Sequence, residues 1–114
     1  MKTYQQKGNE SLLILNQKTS LKVFINDVIL LKGSINYCTF YMNGGQPQKM
    51  VARTIRFFET YLETHGFIRV HQSFMVNTKH IIRYNSGEES LTMANGLTVN
   101  ISRRKKQILK DIIP

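Results

Sequence analysis

Cysteine is almost missing from this chain, carboxylates are scarce, and no apolar run is long. A single thiol, Cys38, excludes an internal disulfide and any zinc site built on several thiolates. The longest apolar run, around Val28 to Leu31, is strand-sized, far short of the roughly 20 residues that a spanning helix needs. The first ten residues, Met-Lys-Thr-Tyr-Gln-Gln-Lys-Gly-Asn-Glu, hold no apolar segment of the kind a secretory signal requires. Residues 1–10 read as a short, flexible leader. These absences fit a reducing cytoplasm and give no reason to expect a membrane partner.

Catalytic constellations are equally thin. No local signature joins Cys38 to a histidine. His65, His71 and His80 lack helical metal spacing, and no carboxylate lies between Glu63 and Glu88 to complete a metal site. Asn43-Gly44-Gly45 is not followed by the Gly-Lys of a phosphate-cradling loop. Glu88 and Glu89 are adjacent carboxylates, but they sit beside a turn. The expectation is a protein that is not an enzyme and takes no cofactor, metal or small-molecule substrate.

What the chain does have is positive charge. Sixteen Lys and Arg against seven Asp and Glu leave +9 on 114 residues. Net charge speaks to partners and solubility rather than to fold. The partners it favours are nucleic acid, an anionic membrane face or an acidic protein; the bland reading is a merely basic soluble protein. Residues 11–114 are of a size for one domain, and the 41% apolar content is globular.

Along the chain, Ser11 to Leu15 is apolar and ends in the polar cluster Asn16 to Ser20. Leu21, Val23 and Ile25 alternate with Lys22, Phe24 and Asn26, which predicts a strand, with Asn26-Asp27 as a turn. Val28 to Lys32 reads as a strand buried on both faces, broken at Gly33 to Asn36. Tyr37 to Met42 and Gln48 to Ala52 read as a hairpin around Asn43-Gly44-Gly45, because Asn and Gly tolerate the positive φ of tight turns. The period then changes. Ile55, Phe58, Tyr61 and Leu62 follow helical spacing, with Thr54 as N-cap and Gly66 as C-cap. Later, Ile81 to Tyr84, Ser90 to Ala94 and Leu97 to Ile101 read as strands, the last two joined by Asn95-Gly96. Ser102 caps a terminal helix whose apolar stripe is Ile108, Leu109, Ile112 and Ile113.

Two stretches carry candidate binding chemistry. Gly66 to Ile82 alternates apolar residues with Arg69, His71, Gln72, Ser73, Asn77, Lys79 and His80. Polar groups there suit phosphate anchoring and base-edge contacts, though each taken singly is better explained by a structural hydrogen bond. The second stretch is Arg103, Arg104, Lys105 and Lys106, which fill the first turn of the terminal helix. Cations at a helix N-terminus oppose the macrodipole, at about 0.3–1 kcal/mol each. A docked anion relieves that conflict and meets free backbone N–H groups as well; otherwise the run is a solvated basic face.

These residues also resemble a known family. Phe67-Ile-Arg-Val-His-Gln-Ser-Phe-Met-Val-Asn77, followed by His80-Ile81, is similar to the core pattern of LytTR DNA-binding domains. The likeness extends to Ile29 to Gly33 with Asn36-Tyr37, to Thr54 to Leu62, and to Asn95-Gly96 through Arg104. It implies a mainly β fold of about ten short, mostly antiparallel strands in small sheets, with one short central helix and one C-terminal helix. It implies a bacterial, cytoplasmic transcription factor related to response regulators. Its function would be sequence-specific double-stranded DNA binding, with major-groove edges read through loops. Paired sites about one helical turn apart, and a possible homodimer on DNA, go with that reading. The contact positions would be Ser34, Asn36, Tyr37 and Cys38 in the loop after the early buried strand, then Gln72 with His71 and Ser73. The last group is Arg104 as the base-reading arginine with Asn100, Ser102, Arg103 and Lys105 around it; Lys79 adds a further basic contact from the central stretch. A receiver or membrane domain usually precedes such a domain, so the chain would be a stand-alone regulator or part of a longer one. The competing expectation is a basic interaction module that binds RNA or an acidic protein without reading DNA sequence.

Overall fold

The structure is a computed structural model that describes residues 4–7 and 10–112. Eleven strands and two α-helices are found among them: β1 Tyr4–Lys7, β2 Glu10–Asn16, β3 Leu21–Phe24, β4 Val28–Gly33, β5 Cys38–Met42, β6 Lys49–Val51, α1 Ile55–Glu63, β7 Phe67–His71, β8 Phe74–Asn77, β9 Ile81–Asn85, β10 Ser90–Met93, β11 Thr98–Asn100 and α2 Arg103–Ile112. The strands form three sheets in the orders β1-β2-β3, β6-β5-β4-β8-β7 and β9-β10-β11. Every recorded strand pairing is antiparallel. The chain is thus the mainly β protein with two helices that its periodicities predict. Part of the N-terminal segment, Tyr4–Lys7, pairs with β2.

The five-stranded sheet is the middle layer, and β4 is its central strand. Val28, Ile29, Leu30 and Leu31 are all essentially inaccessible, which is what an unbroken apolar run requires of a strand covered on both faces. The run does not alternate evenly. Val28 and Leu31 enter one core with Leu13, Phe40, Phe58, Leu62, Phe67 and Met75. Ile29 and Leu30 enter the other with Val70, Val76, Leu91, Val99 and Leu109. The register irregularity between Val28 and Leu30 against β5 accounts for two neighbours facing the same way. One face is therefore covered by α1 and the β2–β3 hairpin, the other by the β9–β11 sheet and α2. Each large apolar side chain buried here contributes about 1.5–3 kcal/mol before conformational entropy is subtracted.

Several boundaries differ from expectation. The strand expected to run through Ile25 stops at Phe24, and Ile25–Asp27 form a 3-10 turn. That turn buries Ile25 while the Asp27 carbonyl accepts from the Asn43 N–H at 2.7 Å, tying the start of β4 to the end of β5. Thr54 does occupy the position before α1, with extended backbone, but its hydroxyl makes no capping bond. The helix closes two residues earlier than Gly66. Thr64 is the capping residue, and its hydroxyl donates to the Tyr61 carbonyl at 2.6 Å. Gly66 instead carries the reversal into β7, at φ +85, a left-handed conformation that glycine adopts without steric cost. In α2, Leu109 of the expected stripe is buried. The side chains of Ile108 and Ile112, and all of Ile113, lie outside the described residues.

Candidate nucleic-acid interface

The motif-bearing hairpin β7–β8 turns at Gln72-Ser73, with His71 and Phe74 facing each other across the turn. Local chemistry shapes this turn. The His71 Nδ1 accepts the Ser73 N–H at 3.0 Å, so a neutral ring carries its proton on Nε2. The His71 ring also packs on Phe74, centroids 5.8 Å apart. Arg69, half-buried, donates through Nη1 to Glu59 of α1 at 2.8 Å, and through Nη2 to the Gln72 carbonyl. The turn backbone is thereby buttressed from α1, while the Gln72 side chain stays exposed.

Two long-range backbone bonds bring other candidate segments to this turn. The Gly33 N–H donates to the Ser73 carbonyl at 2.8 Å. This sets the β4–β5 loop, with exposed Ser34, Ile35, Asn36 and Tyr37, beside the hairpin turn. The loop is closed by the Ser34 N–H donating to the Tyr37 carbonyl at 2.8 Å. Gly33 suits this junction sterically as well: a Cβ there would fall 2.7 Å from the Ile55 Cδ1. On the other flank, the Ser102 N–H donates to the Val70 carbonyl at 2.7 Å. The start of α2 is thus pinned two residues from Gln72. Arg103 and Arg104 are exposed there, as is Asn100 at the end of β11, whereas Ser102 and Lys105 are half-buried. Lys32, exposed and in register with Phe74, adds another cation at this end of the sheet.

Not every predicted position joins the cluster. Lys79 follows the far end of β8 from the Gln72-Ser73 turn. Its Nζ donates to Asn26 Oδ1 at 3.1 Å and its N–H to Asn77 Oδ1 at 3.1 Å. Asn77 is a buried structural residue, not an anchor. Its Nδ2 donates to the Val28 carbonyl at 3.0 Å, tying β8 to the start of β4. Arg69 is likewise committed inside the protein. His80 holds the Asn26 carbonyl at 2.7 Å through Nε2.

Cys38 is a correction. Its position at the start of β5 is as expected, but its side chain is fully buried in the core with Phe40 and Val51. A thiol facing the core cannot meet a base edge. Burial pushes that thiol up to about 12. The raised value means folding favours the neutral thiol. That contribution is complete below the unfolded value of 9.0 and is lost as pH rises toward 12. Thiolate absorbance followed against pH should therefore rise only together with alkaline unfolding. A Cys38 that ionises near its ordinary value in folded protein would contradict the burial.

The four-cation cluster of α2 is divided by the fold. Lys106 Nζ pairs with Glu89 Oε1, and that carboxylate raises the lysine's pKa through the hydrogen bond and its charge. Glu89 Oε2 accepts the Tyr84 hydroxyl at 3.0 Å, and the Glu89 carbonyl accepts the Ile101 N–H at 2.9 Å. Glu89 holds a positive φ of 51 to do this. Sequence reasoning missed Glu59 and Glu89, the two carboxylates that position this surface. The available signal was scarcity: with seven acidic residues in a chain this basic, each one has many cations to meet.

The assembled face carries three chain segments, a net excess of exposed cations, and polar side chains at its centre. Phosphate contact needs the cations, and groove-edge contact the polar side chains. Among the described residues, no helix is long and apolar enough to cross a membrane.

Comparison with known proteins fits this geometry. The chain's fold is similar to that of the LytTr DNA-binding domain of a protein described as a methyl-accepting/DNA response regulator from Bacillus cereus. The TM-score is 0.74 at 22% identity, covering 93% of this chain and 98% of that one. No curated protein matches the chain. The family of LytTr DNA-binding domains matches residues 18–113. With that match spanning most of its length, the chain belongs to the LytTR family of DNA-binding domains.

Proposed function

We propose that this domain binds double-stranded DNA sequence-specifically and regulates transcription in the cytoplasm, as a binding protein and not an enzyme. The observation that carries the reading is the pair of long-range backbone bonds, Gly33 to Ser73 and Ser102 to Val70. They gather the β4–β5 loop, the hairpin turn and the start of α2 on one basic face. In this reading Gln72 and Arg104 enter the major groove from separate loops. Gln pairs bidentately with adenine and Arg with guanine. Ser34, Asn36 and Tyr37 flank them on one side, and Asn100, Ser102, Arg103 and Lys105 on the other. His71 and Ser73 set the backbone of the reading turn. Two copies would occupy half-sites about one helical turn apart.

Selection of binding sites from a random duplex library tests the reading. A repeated short motif is the expected outcome; indiscriminate retention of duplex, or preference for single strands, rejects it. Lys105 is assigned to phosphate. Lys105→Ala should lower affinity for every duplex to a similar degree and flatten the salt dependence by about 0.9 in log–log slope. An unchanged slope removes that contact.

A further inference from the structure

A second surface lies beside the first. Between the β2–β3 hairpin, β6 and the start of α1 runs a groove of about 710 Å³. Buried Leu15 and Val51 form its base. Tyr37, Met50 and Phe57 stand at its mouth with 50%, 66% and 51% of their surfaces exposed. Large apolar side chains gathered in one groove at such exposure mark an interaction site more often than chance surface. The groove is also stiff. Phe57 packs edge-on against buried Phe58, centroids 5.0 Å apart, and Arg53 lies over its other side at 4.5 Å. Aromatic anchors held in place beforehand lose little side-chain freedom on binding.

Charge decides what fits. Among the described residues, the groove's charged lining residues are Lys18 and Arg53, and no carboxylate lines it. A second copy of this chain would bring another +9 surface to the contact, which like-charge repulsion opposes. Duplex DNA has little use for an apolar floor. The geometry points to an acidic, amphipathic peptide segment of a partner protein as the occupant, its apolar side chains seated against Met50 and Phe57 and its carboxylates against Lys18 and Arg53. Tyr37 belongs both to this groove and to the β4–β5 loop. A partner seated here therefore touches the edge of the DNA-facing surface and leaves the Gln72 turn and the start of α2 uncovered.

The test uses the folded chain as bait for a phage-displayed library of random peptides. Counter-selection on a Met50→Glu variant subtracts peptides that adhere to the basic face by charge alone. Peptides with two or three apolar anchors and an excess of Asp and Glu should be enriched. In anisotropy titrations, Phe57→Ser should weaken the selected peptides at least tenfold, with an unchanged melting temperature confirming the fold. Lys18→Glu together with Arg53→Glu should turn the selected charge preference from acidic to neutral or basic. No enrichment, enrichment without acidic bias, or peptides that bind Phe57→Ser as well as the parent would overturn the proposal. So would a Met50-dependent dimer seen in sedimentation, which would make a second copy the occupant.

Discussion

Arg104→Ala is expected to weaken binding to the selected duplex by roughly five- to hundred-fold, while binding to scrambled duplex falls only slightly. The asymmetry follows from the role proposed for the residue. A bidentate guanidinium contact to a guanine edge is worth about 1–3 kcal/mol of discrimination, and that is lost only where the right base is present. Loss of one cation costs all duplexes alike, through counterion release. The side chain is exposed in the first turn of α2, so truncation leaves the core intact. Parallel titrations on selected and scrambled duplexes at fixed salt separate the two terms. Equal losses on both would make Arg104 a phosphate contact and remove its reading role. Arg104→Lys sharpens the test: charge is kept, the planar fork is lost, and specificity should fall nearly as far as in the alanine variant.

The second large effect is on stability. Asn77→Ala should lower the unfolding free energy by about 2–4 kcal/mol, the sum expected when a buried donor–acceptor group leaves two partners unsatisfied. The Val28 carbonyl loses its Nδ2–H donor, and the Lys79 N–H loses Oδ1. Asn77 is 1% exposed, so no water can enter without displacing neighbours. Denaturant unfolding measures the loss, and DNA binding by the folded fraction should be unchanged. A variant that keeps its stability but loses affinity would move Asn77 back among the contact residues. Asn77→Asp is a useful companion: it keeps the acceptor for Lys79 but sets a buried carboxylate against the Val28 carbonyl, so at neutral pH it should destabilise at least as much as alanine.

These two residues show where sequence legibility ends. Asn77 and Arg104 both belong to motif stretches, and both are polar. The cation run that holds Arg104 was visible because its context is local: four cations at a helix start conflict with the helix dipole whatever surrounds them. For Asn77 a structural hydrogen bond could be expected, but not its partner, because Val28 on β4 lies far away in the chain. Arg69 is the same case, spent on Glu59 and on the Gln72 carbonyl. Lys106 was placed with the free cations until the fold brought Glu89 to it. Cys38 followed its loop neighbours in sequence, yet β5 alternation turned it inward while Tyr37, one residue before, faces out.

Period, turn chemistry and charge were enough to determine the elements. They set strands buried on one face or two, hairpins at Asn-Gly pairs, two amphipathic helices, and a basic surface. Those signals act over a few residues, where backbone sterics and side-chain spacing leave little choice. Only the tertiary structure decided which polar side chains remain for a ligand. That choice depends on which groups long-range pairing brings within hydrogen-bond reach, as with Gly33 beside Ser73 and Ser102 beside Val70. A buried group must spend its bonding capacity on whatever neighbour the fold supplies, and no local pattern names that neighbour.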